Sequence, residues 1–147
     1  MLIRQATADD LPAIYRLVAE LAEYEKEPEA LTATIEDYRK DFAAGFFEAV
    51  VAEHPVSGQI TGMALYYLTY STWKGRMLYL EDFVVESASR QLGLGQQLFD
   101  AVFERARAYE CRLVKWQVLD WNEPAIAFYR KQGAIIEDNW WSCKIFT

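Results

Sequence analysis

The sequence predicts an α/β protein of the α+β type, with a mixed central β-sheet and helices on both of its faces. Segments with apolar residues at helical spacing alternate with short runs rich in aromatic and β-branched residues. Three such runs follow one another without an intervening helix, while helices separate the others, and together these indicate a mixed sheet. A length of 147 residues without repeat or linker predicts one domain over residues 1–147. The expected order is β-α-α-β-β-β-α-β-α-β-β.

The first part of the chain is predicted to hold one strand and two helices. Residues 2–5 form the opening strand, and Thr7 with a carboxylate at Asp10 is typical of a helix start. Apolar side chains then recur on one helical face, at Leu11, Ile14, Tyr15, Val18 and Leu21. The acidic segment 23–29 ends this helix. A second helix is expected over residues 34–45, with its inner face formed by Ile35, Tyr38 and Phe42.

Strands dominate the middle of the chain. Three are predicted at residues 46–53, 60–70 and 77–85, with turns between them. The third is a near-continuous apolar run, which is typical of a strand buried on both faces. A helix over residues 93–108, a buried strand over 113–119 and a short helix over 122–133 follow. Residues 135–136 and 141–146 are expected to close the chain as paired strands.

The charge of the chain limits its partners. Its 15 Lys and Arg against 22 Asp and Glu give a formal net charge of −7. Such a surface repels nucleic-acid phosphates and anionic lipid, so we expect no nucleic-acid partner and no membrane. It attracts a cation instead. The single histidine, His54, excludes a histidine zinc cluster within one chain, and we expect no metal.

The two cysteines, Cys111 and Cys143, lie far apart and form neither a C-x-x-C motif nor a disulfide framework. Free thiols in a small acidic chain fit a reducing cytosol, so a cytoplasmic location is predicted. No charged-then-apolar leader follows Met1, and no apolar stretch is long enough to cross a bilayer. Neither cysteine has a recognisable nucleophile setting, so a covalent intermediate on a cysteine is not expected.

The most informative segment is the loop over residues 90–95, between a predicted strand and a long helix. Gly93 and Gly95 let the backbone turn tightly and approach a ligand closely. The N–H groups of the first helical turn can then hold a pyrophosphate, and Arg90 adds positive charge at the rim. The loop lacks the third glycine of a dinucleotide fingerprint, and the chain has no P-loop motif. An ordinary strand-to-helix turn is the alternative interpretation.

Five separated motifs keep one order and spacing over nearly the whole chain. They are Leu21-Ala22-x-Tyr24-Glu25, Tyr66-Tyr67-x-Thr69-Tyr70-x-x-Trp73-x-Gly75, Leu78-Tyr79-Leu80-Glu81-Asp82-Phe83-Val84-Val85, Arg90-x-x-Gly93-x-Gly95 and Trp121-Asn122-Glu123-Pro124-Ala125-x-x-Phe128-Tyr129-x-x-x-Gly133-Ala134. Together they resemble the GNAT acetyltransferases, and more narrowly the diamine (spermidine/spermine) acetyltransferase branch. The resemblance implies the acyl-CoA N-acyltransferase fold and direct acetyl transfer from acetyl-CoA to a polyamine, a diamine or a lysine-like amine.

Acyl transfer to an amine requires the neutral amine, whereas an aliphatic amine with a pKa of about 10 arrives as ammonium. Glu81, in the middle of a predicted strand, is the candidate to hold the cation and to accept its proton, directly or through water. A backbone N–H between Asp82 and Val84 can stabilise negative charge on the carbonyl oxygen. Glu81 as a merely exposed strand carboxylate is the alternative, since alternation puts it and Asp82 on opposite faces.

The resemblance implies further site residues. Tyr129 has the position of the acid that protonates the departing thiolate, although it could also be a core aromatic. Asn122 holds the cofactor in the family and can cap a helix as well. Tyr24 and Glu25 match a pair that binds the cationic substrate, together with Glu81 and Asp82, or they form a solvated face. Cofactor contacts are expected from Phe83, Val84, Val85, Arg90, Gln91, Leu92, Gly93, Leu94, Gly95, Gln96, Asn122 and Tyr129.

The same resemblance implies a homodimer, and a cofactor arm that enters where the 77–85 strand diverges from the 113–119 strand. The chain departs from the branch at Gln91, where glycine is common, and at residues 137–141, which replace an acidic-Gly-Trp-Arg stretch. Because the second departure lies in the substrate half, cofactor use is better supported than the identity of the amine. Two alternatives stay open, a protein acetyltransferase and a non-catalytic acyl-CoA-binding module.

Overall fold

The computed structural model describes residues 1–147, except for the side chain of Gln91. The chain divides into two compact units, Met1–Trp116 and Gln117–Thr147. The first unit holds the whole sheet and three α-helices, and the second holds one α-helix. Among the described residues, no helix combines the length and the apolar character that crossing a membrane requires.

The first unit is built on a five-stranded sheet whose strands lie side by side in chain order. Its strands are β1 (Leu2–Gln5), β2 (Glu48–Glu53), β3 (Ile60–Ser71), β4 (Gly75–Val85) and β5 (Leu113–Lys115). The first four pair antiparallel, and β5 pairs parallel with β4. The predicted mixed sheet of the α+β class is therefore confirmed, although β5 ends at Lys115 instead of residue 119.

Helices cover this sheet on both faces, as the sequence predicts. On one face lie α1 (Leu11–Tyr24) and α2 (Ile35–Ala43), and α1 packs there against Met63 and Leu65 of β3. On the other face lies α3 (Leu94–Ala108), whose Leu98 approaches Gly62, the neighbour of Met63. A Cβ at Gly62 would meet the Leu98 side chain at 3.0 Å, so the missing side chain lets α3 lie close to the sheet.

The helix α2 is fixed at its start and along its inner face. Thr34 and Asp37 form a capping box, in which the hydroxyl accepts the Asp37 N–H at 3.1 Å and the carboxylate accepts the Thr34 N–H at 2.8 Å. The Tyr38 ring packs edge-on against Tyr15 and Phe47, at centroid distances of 5.0 and 5.7 Å. The expected inner face of this helix is confirmed, and it brings Tyr38 towards β4.

The second unit contains α4 (Glu123–Lys131). The two predicted closing strands, residues 135–136 and 141–146, are not formed, because residues 132–147, all of which the structure describes, hold neither helix nor strand. Ile135 is 90%, Trp141 92% and Ile145 91% exposed. Residues that favour strands do not form one without a paired neighbour and a buried face, and the second unit provides neither among its described residues.

Candidate active site

A β-bulge in β4 brings two consecutive carboxylates to one face of the sheet. The register of β3 against β4 shifts by one residue after Leu65, which pairs with Asp82, so that Glu81 is an extra residue. Asp82 shares the α1 face with Leu65, and the Tyr67 hydroxyl on that face donates a hydrogen bond to Glu81 Oε2 at 3.0 Å. The expectation that Glu81 and Asp82 lie on opposite faces is therefore wrong. Nor is β4 buried on both faces, because Glu81 is exposed.

Glu25, directly after α1, completes what we call the acidic cluster, Glu25, Glu81 and Asp82. Burial, together with the negative charges of Glu81 and Glu25, raises the pKa of the half-buried Asp82 to about 6. Burial also raises the pKa of Glu25. A cation placed among these carboxylates would relieve their mutual repulsion. Among the described residues, no group of three or more His, Cys, Asp or Glu side chains is arranged to hold a metal ion.

Three tyrosines lie around the acidic cluster. Burial, and next the charge of Asp82, raise the pKa of Tyr38 to about 12. Tyr67 and Tyr79 face each other across β3 and β4, and their rings stack with centroids 5.5 Å apart and 23° between the planes. Burial raises the pKa of both phenols, and for Tyr67 the hydrogen bond to Glu81 adds to the effect. All three phenols therefore keep their protons at neutral pH, and each has a hydroxyl that can donate a hydrogen bond.

Strand pairing on the β5 side of β4 stops at Tyr79 in the first unit. The pairing of β4 with β5 covers three residues, from Met77 with Leu113 to Tyr79 with Lys115. Within residues 1–116, whose backbone is fully described, no strand pairs with the following part of β4 on that side. Phe83, Val84 and Val85, expected to contact the cofactor, lie in this part. A strand edge offers N–H and C=O groups to an extended ligand, so this segment can bind a chain with amide groups.

The loop between β4 and α3 ends at a left-handed glycine. Gly93 has φ +70°, and α3 starts at the next residue, Leu94, so the first turn points its N–H groups out of the helix end. A Cβ at Gly93 would meet no atom within 4 Å, and one at Gly95 would make only an ordinary contact with Phe83 at 3.8 Å. Neither glycine position is thus crowded, and the dipole and N–H groups of the helix end suit a diphosphate.

Arg90 lies beside this loop and links it to α1. Its Nε donates to the Val85 carbonyl at 3.0 Å, and its guanidinium lies 6.0 Å from the centre of the Tyr24 ring. The Tyr24 ring therefore lies near the Arg90 guanidinium, and Tyr24 directly precedes Glu25 of the acidic cluster in the sequence. Leu92 is exposed in the same loop. The side chain of Gln91, another expected cofactor contact, lies outside the described residues.

Asn122 and Tyr129 belong to the second unit. Asn122 Oδ1 accepts the backbone N–H of Ala125 at 3.4 Å, so Asn122 caps α4. Tyr129 is buried on α4, and its ring lies edge-on to Phe128 with centroids 5.7 Å apart. The structure thus shows the helix-cap role and the burial that sequence reasoning considered. The roles of these two residues toward a cofactor stay predictions.

Sequence reasoning missed Tyr38, Tyr67 and Tyr79 as neighbours of the candidate carboxylates. Tyr38 was identified only as an inner-face residue of a helix, because helical spacing carries no information about which strand it faces. For Tyr67 and Tyr79 the sequence did contain a signal, since both residues lie in the motifs that surround Glu81. Strict alternation puts Tyr79 and Glu81 on one face, but the bulge was needed to add Asp82 to it.

Comparison with known families and proteins gives consistent results. The model of the acetyltransferase (GNAT) family matches residues 11–134. A thialysine N-epsilon-acetyltransferase of Bos taurus is 37% identical over 153 residues, which cover 97% of this chain and 90% of that protein. The human spermidine/spermine N(1)-acetyltransferase-like protein 1 is 36% identical over 151 residues, which cover 94% of this chain but 21% of that longer protein.

Solved structures agree at the level of the fold. The crystal structure of an aminoglycoside acetyltransferase from an uncultured soil metagenomic sample has a TM-score of 0.80 and 18% identity, covering 99% of this chain and 95% of that one. A mutant protein from Bacillus halodurans has a TM-score of 0.82 and 21% identity, covering 99% of this chain and 100% of that one.

Proposed function

Because the chain belongs to the acetyltransferase (GNAT) family and is an N-acetyltransferase, we propose that it transfers acetyl from acetyl-CoA directly to a primary amine of a small cationic compound. The proposed acceptors are lysine-like amines, diamines and polyamines, in view of the thialysine and spermidine/spermine names of its relatives. The observation that carries this proposal is the acidic cluster, in which the bulge places Glu81 beside Asp82 near Glu25.

The acidic cluster attracts the substrate as an ammonium ion and then removes its proton. A primary amine with a pKa of about 10 is almost fully protonated at neutral pH, so binding and deprotonation are separate tasks. Glu25 and Asp82 contribute negative charge that holds the cation, and Asp82 is ionised above its pKa of about 6. Glu81, the exposed member, accepts the proton directly or through a water molecule.

The donor is proposed to bind at the N-terminal end of α3 and along the part of β4 that follows Tyr79. The N–H groups of Leu94, Gly95 and Gln96 in the first turn of α3 hold the diphosphate, with Arg90 and the Gln91–Gly93 segment at its rim. The pantetheine amides follow Phe83, Val84 and Val85. A backbone N–H between Asp82 and Val84 stabilises the negative charge that develops on the acetyl oxygen. Acetyl-CoA supplies the thioester carbonyl that the amine attacks.

The acid is proposed to be Tyr129, with Asn122 as a further cofactor contact. In the reaction a C–N bond forms and the C–S bond breaks, and the sulfur leaves with the bonding electron pair. The ammonium gives one proton to Glu81 before attack, and the nitrogen loses a second proton to water from the tetrahedral intermediate. The Tyr129 phenol gives its proton to the sulfur and recovers one from solvent, so one net proton is released through Glu81. Burial of Tyr129 and the match of residues 122–134 to the family motif support this role.

Direct transfer is favoured over an acetyl-enzyme by the state of the thiols. Burial raises the pKa of Cys111, which lowers its thiolate fraction at neutral pH. Cys143 is exposed in the second unit, and neither cysteine lies in a recognisable nucleophile motif. A ternary complex of the chain, the donor and the amine is therefore the proposed route.

The test is release of CoA from acetyl-CoA over a panel of lysine analogues, diamines, polyamines and one lysine-containing peptide. We expect turnover with small cationic amines, and a loss of at least about 100-fold in kcat for Glu81→Gln and for Tyr129→Phe. Phe128→Leu, next to Tyr129 on α4, is the matched control for disturbance of the helix. Turnover of the peptide alone would favour a protein acetyltransferase, and acetyl-CoA binding without any turnover would favour a binding module.

Further features of the protein belong to the same proposal. The family match runs across both compact units, which supports a single functional domain over residues 1–147. A homodimer is proposed from the resemblance, and exposed apolar side chains in the second unit support it, namely Ile135, Trp140, Trp141, Ile145 and Phe146. A cytoplasmic location stays a prediction from the two free thiols.

A further inference from the structure

The hydrogen bond between Tyr67 and Glu81 is a contact that the proposed reaction does not use. Tyr67 Oη donates to Glu81 Oε2 at 3.0 Å. Glu81 is exposed, and an exposed glutamate ordinarily samples many rotamers, whose loss on ordering costs conformational entropy. Proton transfer from the amine requires the carboxylate in one orientation. A hydrogen-bond donor that restricts its rotamers before the substrate binds therefore favours the transfer.

The ring that carries this donor is itself fixed. Tyr67 lies opposite Tyr79 in the register of β3 and β4, the two longest strands of the sheet. The two rings stack with 23° between their planes, which restricts the rotation of each. Glu81 follows Tyr79 by two residues in the bulge, so the stacked pair and the carboxylate lie side by side. The phenol therefore reaches Glu81 from a rigid support.

The Tyr67 hydroxyl also remains a hydrogen-bond donor over a wide pH range. Burial and the hydrogen bond to Glu81 raise the pKa of Tyr67, so the phenol carries its proton throughout the neutral and moderately alkaline range. It occupies one lone pair of Oε2 and leaves Oε1 unoccupied by this contact. A phenol in this state can orient a carboxylate but cannot take up a proton from the amine.

We infer that Tyr67 is a positioning residue of the amine site, which holds Glu81 Oε2 so that the rest of the carboxylate is directed to the bound ammonium group. The inference rests on the proposed function, because it assigns Glu81 the task of meeting the amine. It predicts that the phenol oxygen, and not the ring, matters for the amine, and that its effect depends on Glu81.

Tyr67→Phe tests this directly, because it keeps the stacked ring and removes the donor. We expect kcat/KM for the amine to fall about tenfold, the loss typical of a hydrogen bond to a charged group, while KM for acetyl-CoA is unchanged. In the Glu81→Gln background the same change should alter kcat/KM by less than about twofold, because the partner of the hydrogen bond is already altered. Tyr70→Phe, a 66% exposed tyrosine on the same strand, is the matched control and should keep parental kinetics.

Each outcome supports or overturns the inference. A parental kcat/KM in Tyr67→Phe, or an equal loss with and without Glu81, overturns it while the proposed function stands. A lower melting temperature together with a higher KM for acetyl-CoA shows that the phenol only stabilises the fold, which also overturns it. If the parent acetylates none of the amines, the proposed function fails and the inference fails with it.

Discussion

Asp82 couples the candidate site to the stability of the protein. Its ordinary pKa of 3.8 is raised to about 6 by burial and by the charges of Glu81 and Glu25. A carboxyl whose pKa is raised on folding stabilises the folded state below its unfolded pKa, and this contribution is lost as the pH rises through its folded pKa. At neutral pH the ionised Asp82 therefore destabilises the unliganded protein, and a bound cation offsets this cost.

Asp82→Asn should make the protein more stable at neutral pH and not at low pH. We expect the free energy of unfolding to exceed that of the parent by about 2 kcal/mol at pH 8, with the difference disappearing towards pH 4, where the folded parent carries a protonated Asp82. Urea denaturation between pH 4 and pH 8 measures this difference. Asp138→Asn, an exposed carboxyl in the second unit, serves as the control with no such trend. A difference that is constant with pH would contradict the assignment.

At the scale of single helices and strands, the sequence predicts the features that depend on residues close together in the chain. The apolar face of α1, the start of α2 near Thr34 and the sequence of strands β2 to β4 were all predicted, because each depends on residues close together in the chain. The bulge at Glu81 was not predicted, because it is a property of pairing between two strands and leaves no local pattern. The prediction of two closing strands was wrong for a related reason. Ile135 and Ile145 favour a strand, but the described residues of their unit contain no strand with which they could pair.

Alanine substitutions of the two glycines at the start of α3 should change the free energy of unfolding in opposite directions. Gly93→Ala places a side chain at φ +70°, which costs about 1–2 kcal/mol, whereas Gly95→Ala lies in the helix and should gain about 0.5–1 kcal/mol. Both variants should have a higher KM for acetyl-CoA. In Gly93→Ala the backbone strain shifts the loop, and in Gly95→Ala the methyl group keeps the diphosphate from approaching the backbone closely. Denaturation curves and donor titrations separate the two effects. A parental KM for acetyl-CoA in both variants would show that the diphosphate does not bind at this helix end.

At the scale of the whole molecule, the family was predictable and the exact substrate was not. Five motifs spread over the chain led to the GNAT family, and the family match and the thialysine acetyltransferase relatives confirm it. A net charge of −7 indicates attraction for cations in general. Under the proposed function, the choice among amines would follow from the spacing of the acidic-cluster carboxylates and the surrounding phenols, and the bulge, not composition, sets that spacing.

The apolar segment over residues 135–146 should hold two copies of the chain together. Trp141 is 92% and Ile145 91% exposed, and apolar side chains grouped in this way typically mark an interaction surface. We expect the parent to sediment at twice the 17.0 kDa mass of one chain, and the double variant Trp141→Lys, Ile145→Lys to sediment as a monomer. Val56→Lys changes a 90% exposed residue in the turn before β3 and should remain dimeric. A parent that stays monomeric at micromolar concentration, or a double variant that still dimerises, would place the interface elsewhere or exclude it.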